Sequence, residues 1–272
     1  MLPRNCFICA LFKLPKKMLT NIIEIVILAL IQGVSEFLPI SSSAHLVVVS
    51  TLYEFKSSSL LIDVSLHLGS LLAIIFFFRK ELIDLKHNQK ILSLMIFGSI
   101  PLIVVGYILY KIELIYLLRD IKIIAWTTLI FGIVLYFADK SKFNKSIAIN
   151  LNLKIILYIG FFQILSLIPG VSRAGITMTA ARFCKFNRVE SSKISFLLAI
   201  PALTGASVLS LKDIFIQSFE INYLSLIAII CSFLFSYFTV KFFLNYINKF
   251  SLNIFVIYRI ILAIFLFIII YN

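Results

Sequence analysis

Charged residues are scarce in this 272-residue chain: Asp, Glu, Lys and Arg make up 14%, against about 25% in soluble globular proteins. Hydrophobic residues make up 61%, and the mean hydropathy is +1.08. Several apolar runs without charge are long enough to cross a bilayer, which takes about 20 helical residues. The composition therefore predicts a polytopic α-helical membrane protein and excludes a soluble globular one.

Acidic residues are scarcer than basic ones, with 12 Asp and Glu against 25 Lys and Arg. The basic residues lie in short segments between apolar runs and form no continuous patch, which argues against a nucleic-acid partner. Cysteine is also sparse: the four residues are Cys6, Cys9, Cys184 and Cys231. Cys6 and Cys9 have the spacing of a redox motif but no strand–helix–strand context, so we interpret all four as small apolar residues.

Residues 1–17 lack the features of a membrane span. Basic residues surround an apolar stretch that is too short to cross a bilayer, and no small-residue cleavage site is evident. We therefore treat residues 1–17 as an N-terminal extension, with translation from Met18 as an alternative. Residues 18–272 are predicted to form a single membrane domain.

Ionisable and hydroxyl side chains interrupt the first apolar run of this domain. Pro39 lies inside the interruption and lacks a backbone donor, so one straight helix through it is not expected. We predict a helix over Thr20–Leu38, capped by Thr20 or Asn21, then a break and a short return helix over Ser41–Tyr53. Such a re-entrant hairpin is tolerated at membrane depth only where it is buried in protein or lines a cavity.

The same pattern returns in the second half of the chain. An apolar helix over Leu153–Ile168 leads to a break at Pro169, and a short return helix follows over Ala174–Cys184. Gln32-x-x-Ser before the first break matches Gln163-x-x-Ser before the second. Each hairpin is followed by three predicted spans, which are Leu60–Phe78, Ile91–Tyr110 and Ile121–Ala138, then Ile194–Leu211, Ile221–Leu244 and Leu252–Tyr271.

Three crossings bring the chain to the other side of the bilayer, so the second hairpin must enter from the face opposite to the first. We therefore predict an all-α polytopic membrane protein with inverted-topology repeats over residues 20–138 and 153–271, whose hairpin tips meet near the midplane. The loops place 14 of the 25 basic residues on one side of the bilayer and 9 on the other. The positive-inside rule assigns the richer side to the cytoplasm and both chain ends to the outside.

Arg173 follows the second break and cannot lose its charge, so at membrane depth it requires an anionic partner. A purely structural pair with Glu36 is one interpretation. The neighbouring residues favour another, because Gly170 allows close backbone approach while Ser172, Thr177 and the amides of the following helix offer donors. Glycine, hydroxyls, arginine and a helix N-terminus together are typical of a phosphate-binding site.

Glu36 and Gln32 lie four residues apart, so they offer oxygen ligands on one helical face. Oxygen donors suit a divalent cation such as Mg²⁺ or Ca²⁺, although core hydrogen bonding would also explain Gln32. Ser41, Ser42 and Ser43 could cap the return helix, and a serine beside a base could instead act as a nucleophile. His45, within one turn of Ser42, could accept or donate a proton.

Three further polar residues lie inside predicted spans. Asp63 and His67 are four residues apart, and we interpret them as a structural pair near the site rather than as direct catalysts. Arg259 is interpreted as half of an ion pair or as a charge that extends to the membrane surface. Neither interpretation adds a residue to the predicted catalytic group.

Two motifs resemble those of the undecaprenyl-diphosphate phosphatases, also called bacitracin-resistance proteins. The family's first motif is Glu or Gln, three residues, then Glu-Phe-Leu-Pro-x-Ser-Ser, ending at His; it is similar to Gln32-Gly-Val-Ser-Glu-Phe-Leu-Pro-Ile-Ser-Ser-Ser-Ala-His45. The second motif, Pro-Gly-x-Ser-Arg-Ser-x-x-Thr, is similar to Pro169-Gly-Val-Ser-Arg-Ala-Gly-Ile-Thr177. The resemblance runs from about Thr20 to the C-terminus.

The resemblance implies a bacterial inner-membrane enzyme that hydrolyses undecaprenyl diphosphate to the monophosphate carrier of peptidoglycan synthesis. It also implies a divalent cation, a homodimer and a site reached from the outer side of the membrane. The implied residues are Glu36, Ser42, His45 and Arg173 for catalysis, Ser43, Gly170, Ser172, Arg173 and Thr177 for substrate binding, and Gln32 and Glu36 for the cation. The nucleophile is either Ser42 or His45.

Two departures from the family pattern bear on activity. Gln32 stands where Glu is more common and removes one charge from the cation site, and Ala174 replaces the usual Ser and removes a hydroxyl contact. Inverted repeats with broken helices are equally typical of a transporter or flippase for an anionic lipid or small anion, but transport alone requires no cluster of serine, histidine and glutamate. The other large class of membrane lipid phosphatases requires a His shortly after Ser-Arg, and none follows Arg173.

Overall fold

The computed structural model describes residues 16–53, 59–87, 89–112, 114, 118, 120–140, 145–216 and 223–271 of the chain. Apart from one isolated β-bridge between Lys145 and Phe186, the regular structure of these residues is helical. In chain order the helices are α1 Lys16–Ser35, α2 Ser42–Leu52, α3 Leu60–Phe77, α4 Arg79–His87, α5 Gln89–Lys111, α6 Ile121–Asp139, α7 Ile147–Asn150, α8 Leu153–Ile164, α9 Arg173–Phe183, α10 Arg188–Ile216, α11 Tyr223–Lys249 and α12 Asn253–Tyr271.

Six of the described helices, α3, α5, α6, α10, α11 and α12, are long and apolar enough to cross a membrane. Their outward faces carry large exposed hydrophobic side chains, as expected for helices in contact with lipid tails. The predicted all-helical, multi-pass membrane protein is therefore confirmed. Helix α10 begins at Arg188 rather than at the predicted Ile194, because Asn187 Oδ1 accepts the Glu190 N–H at 2.9 Å and caps an additional turn.

Helix α1 begins at Lys16, one turn before Thr20, so the predicted caps at Thr20 and Asn21 are wrong. Lys, Met and Leu are strong helix formers, and the segment 16–19 continues the helix toward the N-terminus. Residues 1–15, most of the predicted N-terminal extension, lie outside the described residues.

Both predicted helix breaks are confirmed. Pro39 lies in the turn between α1 and α2, and Pro169 lies between α9 and the 3₁₀ turn that ends α8. Ser41 and Ser172 precede α2 and α9 with positive φ angles of 76° and 69°. Their hydroxyl oxygens accept the backbone N–H three residues further along, at 3.5 and 3.1 Å. Both return helices therefore start with a serine N-cap of the same unusual backbone conformation.

The helix before each break packs against a span of the other half of the chain. Helices α1 and α3 both pack on α11, α8 and α10 both pack on α5, and α6 packs on α12. A Cβ atom on Gly33 of α1 would lie 2.6 Å from Phe235 Cβ of α11. A Cβ atom on Gly160 of α8 would collide with Gly98 O of α5. These two close approaches of backbone therefore require glycine.

Aromatic side chains fill the space behind the first break. Phe37, in the turn itself, packs edge-on against Phe196 of α10, with ring centroids 5.6 Å apart. Phe196 also contacts Phe78 and Phe243. All four rings are buried, so the backbone next to Glu36 is fixed by the core rather than left as a free loop.

A buried carboxylate joins the second hairpin to the spans around it. Asp139, at the end of α6, accepts hydrogen bonds from Arg188 Nε at 2.7 Å and from the Leu252 N–H at 2.9 Å. Arg182 Nε lies 3.5 Å from the same carboxylate. One side chain thus connects the ends of α6 and α9 with the starts of α10 and α12, and its charge is compensated.

Arg259 of α12 connects the tips of the two hairpins. Its guanidinium donates to Pro39 O of the first hairpin at 3.2 Å. In the second hairpin it donates to Gly170 O at 2.8 Å and to Val171 O at 3.1 Å. It also donates to Thr128 O of α6 at 3.1 Å. Arg259 is 0% exposed, so these carbonyl groups replace water around a buried charge.

The interpretation of Arg259 as an ion-pair partner or a surface-seeking charge is therefore wrong. Within the described part of the chain its partners are backbone carbonyls, and no carboxylate pairs with it. A Cβ atom on Gly132 would lie 3.2 Å from Arg259 Cβ, and one on Gly175 would lie 3.2 Å from its Nη1. The helix breaks leave backbone carbonyls without N–H donors from their own helix. The guanidinium of Arg259 has five N–H groups, so it can donate to several of these carbonyls at once.

Replacing Arg259 by Met should destabilise the protein, because buried carbonyl oxygens at both tips would lose their donor. One such loss costs about 1–3 kcal/mol, and about 1 kcal/mol shifts the thermal midpoint by about 2–4 °C in a chain of this size. We expect the midpoint of the detergent-solubilised protein to fall by about 10 °C. Arg259→Lys, which keeps the charge but not the planar fork, should be intermediate. The exposed Arg79 provides the control, and equal midpoints for Arg259→Met and Arg79→Met would contradict the role.

Candidate active site

An ion pair links the two hairpin tips. Arg173 Nη2, at the start of α9, donates to Glu36 Oε1, in the turn after α1, at 2.6 Å. The two side chains are 12% and 6% exposed, so the pair is largely shielded from its surroundings. A second contact, from Ser172 Oγ to Leu38 O at 3.5 Å, joins the same two turns. The structure thus brings together an acid and an arginine that lie in different halves of the sequence.

The second oxygen of Glu36 collects polar groups from several helices. Gln32 Nε2 of α1 and Ser42 Oγ of α2 each donate to Glu36 Oε2 at 2.9 Å. Gln32 Nε2 also lies 2.9 Å from His67 Nδ1 of α3, which accepts from the amide. His67 Nδ1 is 3.9 Å from Glu36 Oε2. His67 is therefore near the site, as predicted, and its partner there is Gln32.

Two polar atoms in this cluster are buried and have no hydrogen-bond partner among the described residues. They are Arg173 Nη1 and Gln32 Oε1. An unpaired buried donor or acceptor is costly, so each marks a place where a bound group could complete the hydrogen bonding. Arg173 Nη1 requires an acceptor such as a phosphate oxygen, and Gln32 Oε1 requires a donor or a cation.

His45 has a separate set of partners. Its Nδ1 lies 2.6 Å from Ser41 O, and its Nε2 lies 2.5 Å from the hydroxyl of Tyr258 on α12. The two candidate nucleophiles thus have different hydrogen-bond partners: the Ser42 hydroxyl is bound to Glu36, and the His45 ring is bound to Tyr258. Sequence reasoning missed Tyr258, and the only available signal was its position directly before Arg259 in an apolar span.

Gly170 has a structural reason to be glycine. Its φ is 91°, and a Cβ atom there would collide with Thr127 Oγ1 of α6. Its carbonyl accepts from Arg259. The predicted contact of Gly170 with substrate stays a prediction, and so does that of Ser43, whose side chain lies outside the described residues.

Thr177 is directed into the protein. Its side chain is fully buried, and Oγ1 lies 2.8 Å from Arg173 O and 2.7 Å from Ser195 Oγ. Ala174, which replaces the usual serine of the second motif, is 1% exposed beside it. These contacts indicate that Thr177 supports the turn that carries Arg173, and its predicted contact with substrate stays a prediction.

The charges at the tips do not cancel. Glu36 and Arg173 neutralise each other at 2.6 Å. Arg259 adds a buried positive charge that no carboxylate balances among the described residues. Buried surplus charge attracts a ligand of opposite sign. The arrangement is therefore suited to a phosphate group beside a hydroxyl, a carboxylate and an imidazole.

Comparison with known proteins assigns the chain to a family. The family described as "Bacitracin resistance protein BacA" matches residues 25–265. A protein of Pelagibacter ubique (strain HTCC1062) named undecaprenyl-diphosphatase is 71% identical over 256 residues, which cover 94% of this chain and 100% of that protein. A protein of the same name from Elusimicrobium minutum (strain Pei191) is 41% identical, over 89% of this chain and 95% of its own length. Another, from Campylobacter curvus (strain 525.92), is 40% identical, over 90% of this chain and 98% of its own length. Matches of this extent and identity show that the chain belongs to the bacitracin resistance protein BacA family.

Proposed function

We propose that this chain hydrolyses undecaprenyl diphosphate to undecaprenyl phosphate and phosphate in the bacterial inner membrane. The observation that carries the proposal is the 2.6 Å pair between Arg173 and Glu36, with a free guanidinium N–H beside it. Relatives named undecaprenyl-diphosphatase match over nearly their whole length. The product is the lipid carrier of peptidoglycan synthesis, and the family description names bacitracin resistance.

Arg173 is the residue that would hold the diphosphate. Its Nη2 is engaged by Glu36, whereas its buried Nη1 is free to donate to a phosphate oxygen. Negative charge on the phosphoryl oxygens is stabilised by donors that are already in place, in a site shielded from water. Ser172 supports this position, because its hydroxyl caps α9 and contacts the opposite hairpin at Leu38 O.

Ser42 is favoured over His45 as the nucleophile. The Ser42 hydroxyl donates to Glu36 Oε2, so the carboxylate is positioned to take the proton as Ser42 Oγ attacks phosphorus. Undecaprenyl phosphate leaves with the bonding electrons, and water then releases phosphate from Ser42. Both ring nitrogens of His45 are engaged, which leaves it a role in proton transfer.

A divalent cation fits beside Glu36. The buried Gln32 Oε1, without a partner among the described residues, and the Glu36 carboxylate offer the oxygen donors that Mg²⁺ or Ca²⁺ prefers. Nowhere in the described ranges could three or more His, Cys, Asp or Glu side chains hold a metal by themselves, so phosphate oxygens would provide further ligands. When bound, the cation would neutralise charge on the diphosphate.

We also infer that the two halves are inverted-topology repeats with re-entrant hairpins. The matched serine caps support this, as does the exchange of contacts in which α1 and α3 pack on α11 while α8 and α10 pack on α5. The distribution of basic residues supports an orientation with both chain ends outside, and the family resemblance implies a site that opens to the outer side. A homodimer is the expected assembly, from the family resemblance.

Arg173→Ala should lower the rate of phosphate release from undecaprenyl diphosphate about 10²–10³-fold, the usual effect of removing one preorganised charge-stabilising donor. The assay uses purified protein in detergent, with the exposed Arg79→Ala as the matched control. An Arg173→Ala variant as active as wild type would overturn the assignment. Lipid flux in liposomes without hydrolysis would instead favour a transporter.

Gln32→Glu should reduce the concentration of divalent cation that gives half-maximal activity by about tenfold, since ligand charge sets cation affinity. Gln32→Leu, which removes the oxygen donor, should raise that concentration. Titration of the purified protein with Mg²⁺ and with Ca²⁺ provides the measurement. If the three proteins share one cation dependence, Gln32 is not a cation ligand.

The proposed orientation predicts which exposed residues can be labelled from outside the cell. In a chain with its four cysteines changed to serine, a membrane-impermeant maleimide added to intact spheroplasts should label Tyr53→Cys, after α2. The same reagent should label Lys140→Cys, after α6, only once the membrane is broken. The reverse pattern would place both chain ends in the cytoplasm and contradict the proposed orientation.

A further inference from the structure

Tyr258 contacts a proposed catalytic side chain, His45, and the mechanism above gives it no task. Its hydroxyl lies 2.5 Å from His45 Nε2, and the two rings stack with centroids 5.6 Å apart and planes at 10°. Tyr258 is 40% exposed, whereas the adjacent Arg259 is 0% exposed. Helix α12 therefore presents a fixed arginine to the hairpin backbones and an accessible phenol to the histidine.

The polarity of these hydrogen bonds follows from their partners. Ser41 O is a carbonyl oxygen and can only accept, so Nδ1 of His45 carries the proton of the 2.6 Å bond. In the neutral imidazole the other nitrogen, Nε2, then has the lone pair and accepts from the Tyr258 hydroxyl. The basic atom of His45 is therefore hydrogen-bonded to a phenol, and a proton can reach it through that phenol.

A phenol that donates one hydrogen bond keeps lone pairs that accept another. Tyr258 can thus accept a proton from water while it gives its own proton to His45. Tyr258 is also close to the proposed nucleophile through His45. Ser42 lies three residues before His45 on α2, and residues at this spacing are neighbours on a helix surface, about 5–6 Å apart at Cβ. A phosphate on Ser42 would thus lie on the same face of α2 as His45, whose imidazole contacts the phenol.

We propose that Tyr258 is a catalytic residue that transfers the proton of the attacking water to His45 in the second step of hydrolysis. This inference rests on the proposed function and on Ser42 as the nucleophile. Water oxygen forms a bond to phosphorus, and the bond from phosphorus to Ser42 Oγ breaks. Ser42 Oγ regains the proton held by Glu36. The water proton moves to the phenol as the phenol proton moves to His45 Nε2, and the imidazolium later returns it to solvent.

Tyr258→Phe tests this relay with little change in packing, because the stacked ring is kept and only the hydroxyl is lost. We expect kcat for phosphate release to fall about 10²-fold, within the range for loss of a general acid–base group, with KM within twofold of wild type. In this variant, hydrolysis of the phosphate bound to Ser42 becomes the rate-limiting step. The variant should therefore release about one undecaprenyl phosphate per protein in a burst, and phosphate should be recovered covalently bound to the chain.

Two controls separate a relay from a structural role. Tyr271→Phe removes a hydroxyl from an exposed tyrosine of the same helix and should leave kcat unchanged. In a His45→Gln background, which retains a polar side chain, Tyr258→Phe should cause no further loss, because both residues act in one transfer. Thermal midpoints of all variants should match wild type.

The following results would overturn the relay. One is a Tyr258→Phe variant with kcat within threefold of wild type. A second is a loss of activity without a burst and without bound phosphate. A third is a loss that multiplies with that of His45→Gln. Wild-type protein that releases no phosphate from undecaprenyl diphosphate would overturn the proposed function itself, and the relay with it.

Discussion

The structure depends on the hydrogen bonds between Arg259 and the backbone carbonyls of two broken helices. A helix break leaves carbonyl groups without helical donors, and inside a membrane such groups would also lack water. The guanidinium satisfies carbonyls from both hairpins at once, at Pro39, Gly170 and Val171. Because it lies between the tips, it also fixes their separation, and this separation allows Arg173 to meet Glu36 at 2.6 Å.

Each half of the chain contributes a different part of the site. The first half supplies the carboxylate, the hydroxyl and the imidazole, from Glu36, Ser42 and His45. The second half supplies the cations and the phenol, from Arg173, Arg259 and Tyr258. The groups proposed to accept protons and to bind phosphate therefore lie in different halves of the chain and meet only where the halves pack together.

Local patterns in the sequence were sufficient for the spans and both breaks, because proline and apolar runs act over short distances. The pairing of Glu36 with Arg173 spans the two halves of the chain, and it could be predicted because an arginine in an apolar segment requires an anion and the repeated pattern relates the two breaks. Arg259 and Tyr258 could not be assigned in this way. Their partners are the carbonyls of Pro39 and Gly170 and the ring of His45, all far away in sequence, and a backbone carbonyl carries no residue-type signal. The start of α1 was misplaced because a good cap sequence lies inside a longer run of helix formers.

The position of Arg259 has a consequence for how the protein assembles. Helix α12 is synthesised after both hairpins. During synthesis the carbonyls of Pro39 and Gly170 therefore exist before Arg259, the side chain that donates to them in the finished protein. Until then the interrupted helices are costly to hold in lipid. The contact that joins the two breaks can therefore form only after the last helix of the chain has been made.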